Sequence, residues 1–561
     1  MEIMRQQNSE CWLVGGTVRD WYLGYSPLDL DVTVNDDPAS FAKILAKKLQ
    51  VPFFPLSTRH GAYRVVVSDC PVDVAHMQGA TIIDDLACRD FTINAMAMPV
   101  TAATVDNLLR RLESTSETKA LASSPKKSGE MASALFDNLL DPFEGRRHLA
   151  EQRLVAVSDH IFIDDPLRIM RAIRFSHVLG FTLDENLETM LRSQKEEIAR
   201  AASERVMSEL SLSLEAGNSA SLFQKLEEFG LFSTVLPEIV NCNKEIPADT
   251  VVVLAALDSL LACLTVDSEL TSSDAKVADG FAAQNSEVLD PRTLNPSAPL
   301  WISLLRARLQ ESVDGTFPRH AALRLAALLR VASPQVVGAV GRRLRLSGDL
   351  ISLMQAVCRI RQNWYDGNTI TESRQSLTTS VVTGNSLFPA CPEVTRNNLP
   401  PVSDALLEVA NNNLSLVVSS ARSTVEFLWD AAPWEPEVLL ITAAEIMAST
   451  YTGQAQIGRP ANAATFGAST PIEASATSSA MPELPGPVIS LLERWAARQV
   501  SPLELPFDGR FIMQALDLKP GPLLGQILKE TRLAWEAGEV NTAVEALQVA
   551  KVCAERNTYQ P

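Results

Sequence analysis

The sequence predicts an α+β head, a mixed sheet with helices, followed by all-α neck, body and tail domains. Short β-type runs alternate with helix-like stretches at the N-terminal end, whereas from about Asp164 onward apolar residues recur at three- and four-residue spacing and strand signals stop. A chain of 561 residues with ordinary composition also exceeds what one hydrophobic core organises, so several domains follow.

In order, Cys11 to Val14, Leu28 to Val34, Tyr63 to Val67 and Val72 to His76 read as strands, with Ser40 to Leu49 as a helix between them. Beyond the head, Pro166 to Leu179, Arg205 to Leu214 and Ala321 to Val331 carry the helical period. Polar, small-residue segments at Ser114 to Gly129, Thr265 to Ala298, Asp366 to Arg396 and Ser449 to Pro485 read as loops or linkers. The resulting division is a head at 1–149, a helical neck at 150–240, a helical body with loop insertions at 241–430, a low-complexity linker at 431–485 and a helical tail at 486–561.

Composition narrows the function. With Lys+Arg 49 against Asp+Glu 67 the net charge is −18, which excludes holding nucleic acid through overall charge and makes any RNA site local. The eight cysteines lack a C-x-x-C pair and a histidine at zinc-ligand spacing, so they read as reduced, packed thiols. The opening MEIMRQQNSECW has no basic region leading into an apolar run, and no uncharged apolar stretch reaches bilayer length. A cytoplasmic protein without membrane contact is expected. Nothing in the sequence marks its oligomeric state.

Chemistry concentrates in the head. Along Leu28-Asp29-Leu30-Asp31-Val32-Thr33-Val34, side chains alternate faces, so Asp29 and Asp31 share one side and the apolar residues the other. Neighbouring carboxylates repel unless a hard cation such as magnesium lies between them and a phosphate. A half-buried strand with a solvated polar face shows the same pattern. Upstream, Leu13-Val14-Gly15-Gly16-Thr17-Val18-Arg19-Asp20 reads as a strand end, a Gly-Gly turn and a helix start, a place where backbone N–H groups meet a triphosphate and Arg19 adds a charge-assisted contact. Asp73 is a candidate third acid on an adjacent strand, and a solvated aspartate fits there equally well.

Gly-Gly-x-Val-Arg-Asp followed nine residues later by Asp-Leu-Asp resembles the nucleotidyltransferase superfamily typified by polymerase β, and within it the class II tRNA CCA-adding enzymes and bacterial poly(A) polymerases. The resemblance implies a nucleotidyltransferase head in which Asp29 and Asp31 hold Mg2+ and Asp29, Asp31 and Asp73 are catalytic. It implies nucleotide binding by Gly15, Gly16 and Arg19. Asp85 to Ala97 looks like the family's ribose-binding segment, with Arg89, Asp90 and Asn94 as its polar members and Cys88 where the family usually has an arginine. Asp141-Pro142-Phe143-Glu144-Gly145 resembles the turn from head to neck.

Asp164-Asp165-Pro166-Leu167-Arg168 is similar to the family's Glu-Asp-x-x-Arg nucleotide-selecting motif, which implies that Asp165 and Arg168 read the incoming base edge, with Arg171 and Arg174 on the same helix in the nucleotide site. By spacing alone, Asp165 and Arg168 make a helical ion pair. Glu204 to Leu210 looks like the motif that braces this helix. The implied activity is template-independent addition of C and/or A from CTP and ATP to the 3′ end of tRNA. A bacterial poly(A) polymerase shares these motifs but typically carries a basic C-terminal extension and a further signature before the third strand, neither of which is evident. A catalytically silent RNA-binding protein on the same scaffold is the other alternative.

For RNA, the stretch from Trp301 to Leu346 holds eight arginines against Glu311 and Asp314, a net of +6, and reads as a local footprint or as a solvated helical pair. Asp508 through Leu528 resembles the family tail that grips the tRNA elbow. Finally, Met77 to Cys88 is short where full CCA-adding members commonly carry a flexible loop that switches the template from C to A. Two expectations stay open here, a specialist adding only the two C residues and full CCA addition with the region around Ser57 to Gly61 as a substitute lever.

Overall fold

The computed structural model describes residues 10–25, 27–57, 61–67, 70–101, 136, 138–240, 249–265, 299–365, 421–457, 484–500 and 508–558. The predicted loops at 114–129, 266–298 and 366–396, and 458–483 of the fourth, lie outside these residues. The chain resolves into two units, one of residues 1–210 with 225–235, the other of 211–224 with 236–561.

The first unit is built on a six-stranded mixed sheet in the order β3-β4-β5-β2-β1-β6. Its strands are β1 (Cys11–Val14), β2 (Leu30–Val34), β3 (Phe53–Ser57), β4 (Ala62–Val65), β5 (Val72–His76) and β6 (Ala97–Pro99). Helix α1 (Gly16–Leu23) follows β1, and α2 (Pro38–Leu49) starts at Asp37, whose carboxylate accepts from the N–H groups of Ala39 and Ser40. Val14, Val32, Val34, Val65 and Val74 are buried in the core that the sheet shares with its helices.

Sequence alternation placed Leu28 on the apolar face of β2, but the strand begins at Leu30, and Leu28 is 89% exposed. The backbone changes course just before it, where the Leu30 N–H donates to the Pro71 carbonyl. Two strands escaped prediction. Edge strand β3 contains Pro55, which breaks the usual strand pattern yet is tolerated at an edge. Strand β6 spans a few residues of a small apolar run and reads equally as loop.

Beyond the sheet come α3 (Ile82–Ala87), α4 (Gly145–Ala150), α5 (Ile161–Asp164), α6 (Arg168–Val178), α7 (Glu185–Gln194) and α8 (Ser203–Glu215). The expectation of helices alone past Asp164 needs one correction. A two-residue strand β8 (Thr182–Leu183) pairs in parallel with β7 (Arg153–Leu154), because the turn after α6 brings extended backbone beside β7. Two-residue strands leave no alternation to read.

Among its described residues the second unit is helical. The predicted linker at 431–485 is corrected over its first part, where Glu435–Ile457 is a helix. Its Val438, Leu439, Leu440, Ile441, Ala443, Ala444, Ile446 and Met447 are all buried, so this part of the helix lies within a core, where its Glu437 and Glu445 meet arginines. The arginine-rich stretch is corrected as well. Arg308 and Arg319 pair with Glu437, Arg324 with Asp258, Arg330 with Asp249 and Glu445, and Arg343 with Glu238. The compensating acids come from distant parts of the sequence, so a window count of charge overstates the field. In the tail, Asp508 caps the helix Gly509–Leu516, and Pro522 opens the helix Pro522–Glu536.

Candidate active site

The site forms where β2 and β5 run parallel and set Asp31 directly beside Asp73. Asp29 precedes β2 and is positioned through Thr17 at the first turn of α1. The Thr17 hydroxyl donates to the Asp29 carbonyl at 3.2 Å and accepts the Asp31 N–H at 2.7 Å. Carboxylate oxygens of Asp29, Asp31 and Asp73 all lie within 4.8 Å of one another. Such a set of hard oxygen donors suits a divalent cation.

The electrostatics agree. Burial, and then the charge of Asp29, push the Asp31 carboxyl up to about 6, against the opposing pull of Arg89. Burial and then Asp73 raise Asp29 as well, opposed by Arg64. The triad therefore holds negative charge that its protein neighbours only partly neutralise, a field that favours a divalent cation.

Gly15 turns the chain onto this site with a φ of +66°, the left-handed region that favours glycine. A Cβ on it would lie 2.9 Å from Arg89 Nη1 and 3.3 Å from Asp31 Oδ2. At Gly16 the same atom would be 3.6 Å from both Arg19 Nη2 and Asp31 Oδ2. The glycines thus bring the start of α1 close to the carboxylates, a close approach of backbone that suits an anionic ligand.

A second cluster, of three arginines each paired with a carboxylate, surrounds Phe175 on α6. The guanidinium carbons of Arg19, Arg171 and Arg174 lie 5.1, 5.3 and 4.3 Å from its ring centroid. Buried Asp90 ties it together, accepting from Arg171 Nε at 2.7 Å, from Asn94 Nδ2 at 3.1 Å and from the Phe91 N–H at 2.8 Å. Burial alone would raise the Asp90 carboxyl, but the Arg171 charge and these hydrogen bonds outweigh it and hold it below the usual carboxylate range. Asn94 in turn accepts from Arg19 Nη1 at 2.7 Å, and Arg174 pairs with Glu209 at 2.5 Å. Arg89 pairs with Asp85 at 2.9 Å, one helical turn back.

One sequence expectation fails in detail. Asp165 and Arg168 do not share a helical face, because Asp165 is extended at φ −143°, ψ 103° and only Arg168 lies in α6. Pro166 disfavours helical backbone at the residue before it. Asp165 instead holds the turn that leads into α6, its Oδ1 accepting the Leu167 N–H at 3.1 Å. Its carboxylate pairs with Arg205 of α8 at 2.9 Å, while Arg168 Nη2 donates to the Cys88 carbonyl at 2.6 Å. Neither contact is the ion pair that spacing suggested.

Sequence reasoning also missed Arg64. It sits opposite Asp73 across β4 and β5 and donates to both of its oxygens at 2.7 Å. A lone arginine in a predicted strand is unremarkable in sequence, and strand register was the signal that could have found it.

Residues 11–81 match the family model described as the poly A polymerase head domain, and residues 180–242 match that of the probable RNA and SrmB- binding site of polymerase A. A CC-adding tRNA nucleotidyltransferase of Geobacter sulfurreducens is 28% identical over 349 residues, covering 62% of this chain and 65% of that protein. An A-adding tRNA nucleotidyltransferase of Deinococcus radiodurans is 31% identical over 232 residues, covering 40% of this chain and 45% of that protein. The chain thus spans about half to just under two thirds of the length of these curated relatives. Solved structures share the fold. A complex of a CCA-adding enzyme with ATP aligns at a TM-score of 0.53 with 18% identity, covering 99% of this chain and 93% of the other. The Thermotoga maritima CCA-adding enzyme complexed with tRNA aligns at 0.50 with 16% identity, covering 98% and 92%.

Proposed function

We propose that this chain, whose residues 11–81 match the poly A polymerase head-domain family, is a nucleotidyltransferase that extends the 3′ end of tRNA with C or A residues from CTP and ATP without a nucleic-acid template. The observation that carries the reading is the register of β2 and β5, which places Asp31 against Asp73 with Asp29 alongside. Asp29 and Asp31 hold magnesium. Bound there, the metal supplies activation of the terminal 3′-hydroxyl and stabilisation of the departing pyrophosphate. The N–H groups after Gly15 and Gly16, with Arg19 and Arg89, bind and orient the triphosphate. Asp90, Asn94, Arg171 and Arg174 shape the nucleotide pocket around Phe175, and Asp165 with Arg168 selects the base.

The test is magnesium-dependent incorporation of labelled CTP and ATP into tRNA transcripts lacking CCA, followed by sequencing of their 3′ ends. Addition of C or CCA supports the reading. Long A tracts on any RNA would instead identify a poly(A) polymerase, and no incorporation a silent binding protein.

A second reading, addition of the two C residues alone, is favoured by the connection from β5 to α3. Only residues 77–81 separate them. This short link is closed by a reciprocal cap, in which Thr81 Oγ1 accepts the Asp84 N–H and Asp84 Oδ2 accepts the Thr81 N–H. A Cβ on Gly79 would lie 2.4 Å from Asp84 Cβ, so the link packs against its own helix start. It has no length to spare for a mobile lever. The alternative lever region contains residues 58–60, outside those described. A tRNA ending before CCA, given CTP and ATP together, should stop at CC, and full CCA ends would remove this second reading.

A further inference from the structure

We propose that Arg64 is the resident counter-ion of the carboxylate triad, fixing Asp73 in place and setting how tightly Asp29 and Asp31 take a divalent cation. The inference rests on the reading of the triad as the reaction centre. Its basis is geometric. Strands β4 and β5 place Arg64 opposite Asp73, and β5 and β2 place Asp73 opposite Asp31, so the three residues lie in one row across the sheet. Residues directly opposite in neighbouring strands share a face. Arg64 Nε donates to Asp73 Oδ1 and Nη2 to Oδ2, both at 2.7 Å. The same Nη2 reaches Asp29 Oδ2 at 3.5 Å.

A planar guanidinium fork on both oxygens of a carboxylate fixes orientation as well as charge. Asp73 is therefore held in one pose before any cation arrives. One unit of positive charge also stands beside the site that a divalent cation enters, so the two compete for the same carboxylates. The Arg64 side chain is 32% exposed and that of Asp73 19%, which leaves the competition only partly screened by water. Arg64 is a positioning residue in this scheme, acting through Asp73 and through the field at Asp29.

Binding of Mn2+ to the full-length protein without nucleotide tests this, followed by the electron paramagnetic resonance signal of the free ion. Arg64→Gln, which removes the charge, should bind Mn2+ about tenfold more tightly or better, the order expected for one unit charge removed a few ångströms away. Its turnover should fall because Asp73 loses its fork. Arg64→Lys keeps the charge without the fork and should bind Mn2+ within about threefold of wild type while turning over more slowly. A purely structural arginine would lower the melting temperature without tightening Mn2+ binding. A folded Arg64→Gln protein with unchanged or weaker Mn2+ affinity overturns the proposal. Should that variant fail to fold, an Arg64→Lys protein with wild-type turnover overturns it instead. If the wild-type chain takes up Mn2+ and only the variants disappoint, the reaction-centre reading survives. A wild type that takes up none removes that reading too.

Discussion

Two runs of like charge stand out in the chain, the aspartates of the head and the arginines between Trp301 and Leu346, and folding treats them in opposite ways. Asp29, Asp31 and Asp73 converge to within 4.8 Å with burial and mutual repulsion raising Asp29 and Asp31. Arg308 and Arg319 share Glu437 while Arg324, Arg330 and Arg343 pair with other acids, and Arg330 is 1% exposed with Asp249 at 2.8 Å and Glu445 at 3.0 Å. Charge density along the sequence is therefore a poor guide to ligand binding. What separates a site from a scaffold is whether the tertiary structure supplies the opposite charge.

The largest effect should come from the under-compensated cluster. Asp31→Ala should lower nucleotide incorporation by about a thousandfold or more, the scale for losing an electrostatic element of a metal-assisted reaction. It should do so without loss of fold, as checked by circular dichroism. Wild-type turnover in this variant would remove the triad from the chemistry and erase the contrast.

The compensated cluster should answer in stability. Arg330→Ala leaves Glu445 and Asp249 without this partner, along with the donor to Thr250 Oγ1 at 3.3 Å. Asp249 is 45% exposed and Glu445 keeps Arg361, so the cost is about 2–3 kcal/mol, that of losing charge-assisted hydrogen bonds, measurable by urea unfolding. The protein that remains folded should bind tRNA with unchanged affinity. An Arg330→Ala protein of normal stability and weakened tRNA binding would restore the electrostatic footprint that the sequence suggested.

Asp165 lies between these extremes. Its partner Arg205 is 55% exposed, and such a pair contributes about 1 kcal/mol at most, so the carboxylate can exchange Arg205 for a base edge at little cost. Asp165→Ala should therefore leave the melting temperature nearly unchanged while raising UTP misincorporation relative to CTP by about ten- to a hundredfold, the worth of one specific polar contact. Unchanged selectivity in a stable variant would leave Asp165 with a role in the turn alone.

The sequence made much of this legible, and where it failed the reason is physical. Strand β5 lies where alternation put it, and β1 likewise, because half-buried strands enforce the two-residue period. The Asp-x-Asp pair was readable, yet its meaning depends on Asp73, which only strand register brings alongside. Arg64 was hidden for the same reason. Spacing puts Asp165 in the helix, but Pro166 disfavours helical backbone at the residue before it, and this local effect outweighs the spacing. The arginine stretch misled because Glu437 and Glu445 lie outside any local window, on a helix whose sequence had been assigned to a linker.

The smallest predicted effect isolates the strain of the uncompensated site. The Asp31 carboxyl is pushed from an ordinary 3.8 to about 6 in the folded chain, mainly by burial and next by Asp29. Between those values the folded state holds more protons than the unfolded state, so stability falls as pH rises across this window and stays low above it. Asp90, whose carboxyl is held low, acts in the opposite sense at the lower edge of this window and below it. The difference between wild type and Asp31→Asn cancels its contribution. In a buffer containing a chelator, the two proteins should melt alike near pH 4, with the variant higher by about 2–4 °C above pH 6. Magnesium should narrow that gap, because a cation bound at the triad stabilises the ionised carboxylate that wild type alone possesses. A gap of the same size with and without magnesium would mean that the Asp31 charge is strained for reasons unconnected with a metal.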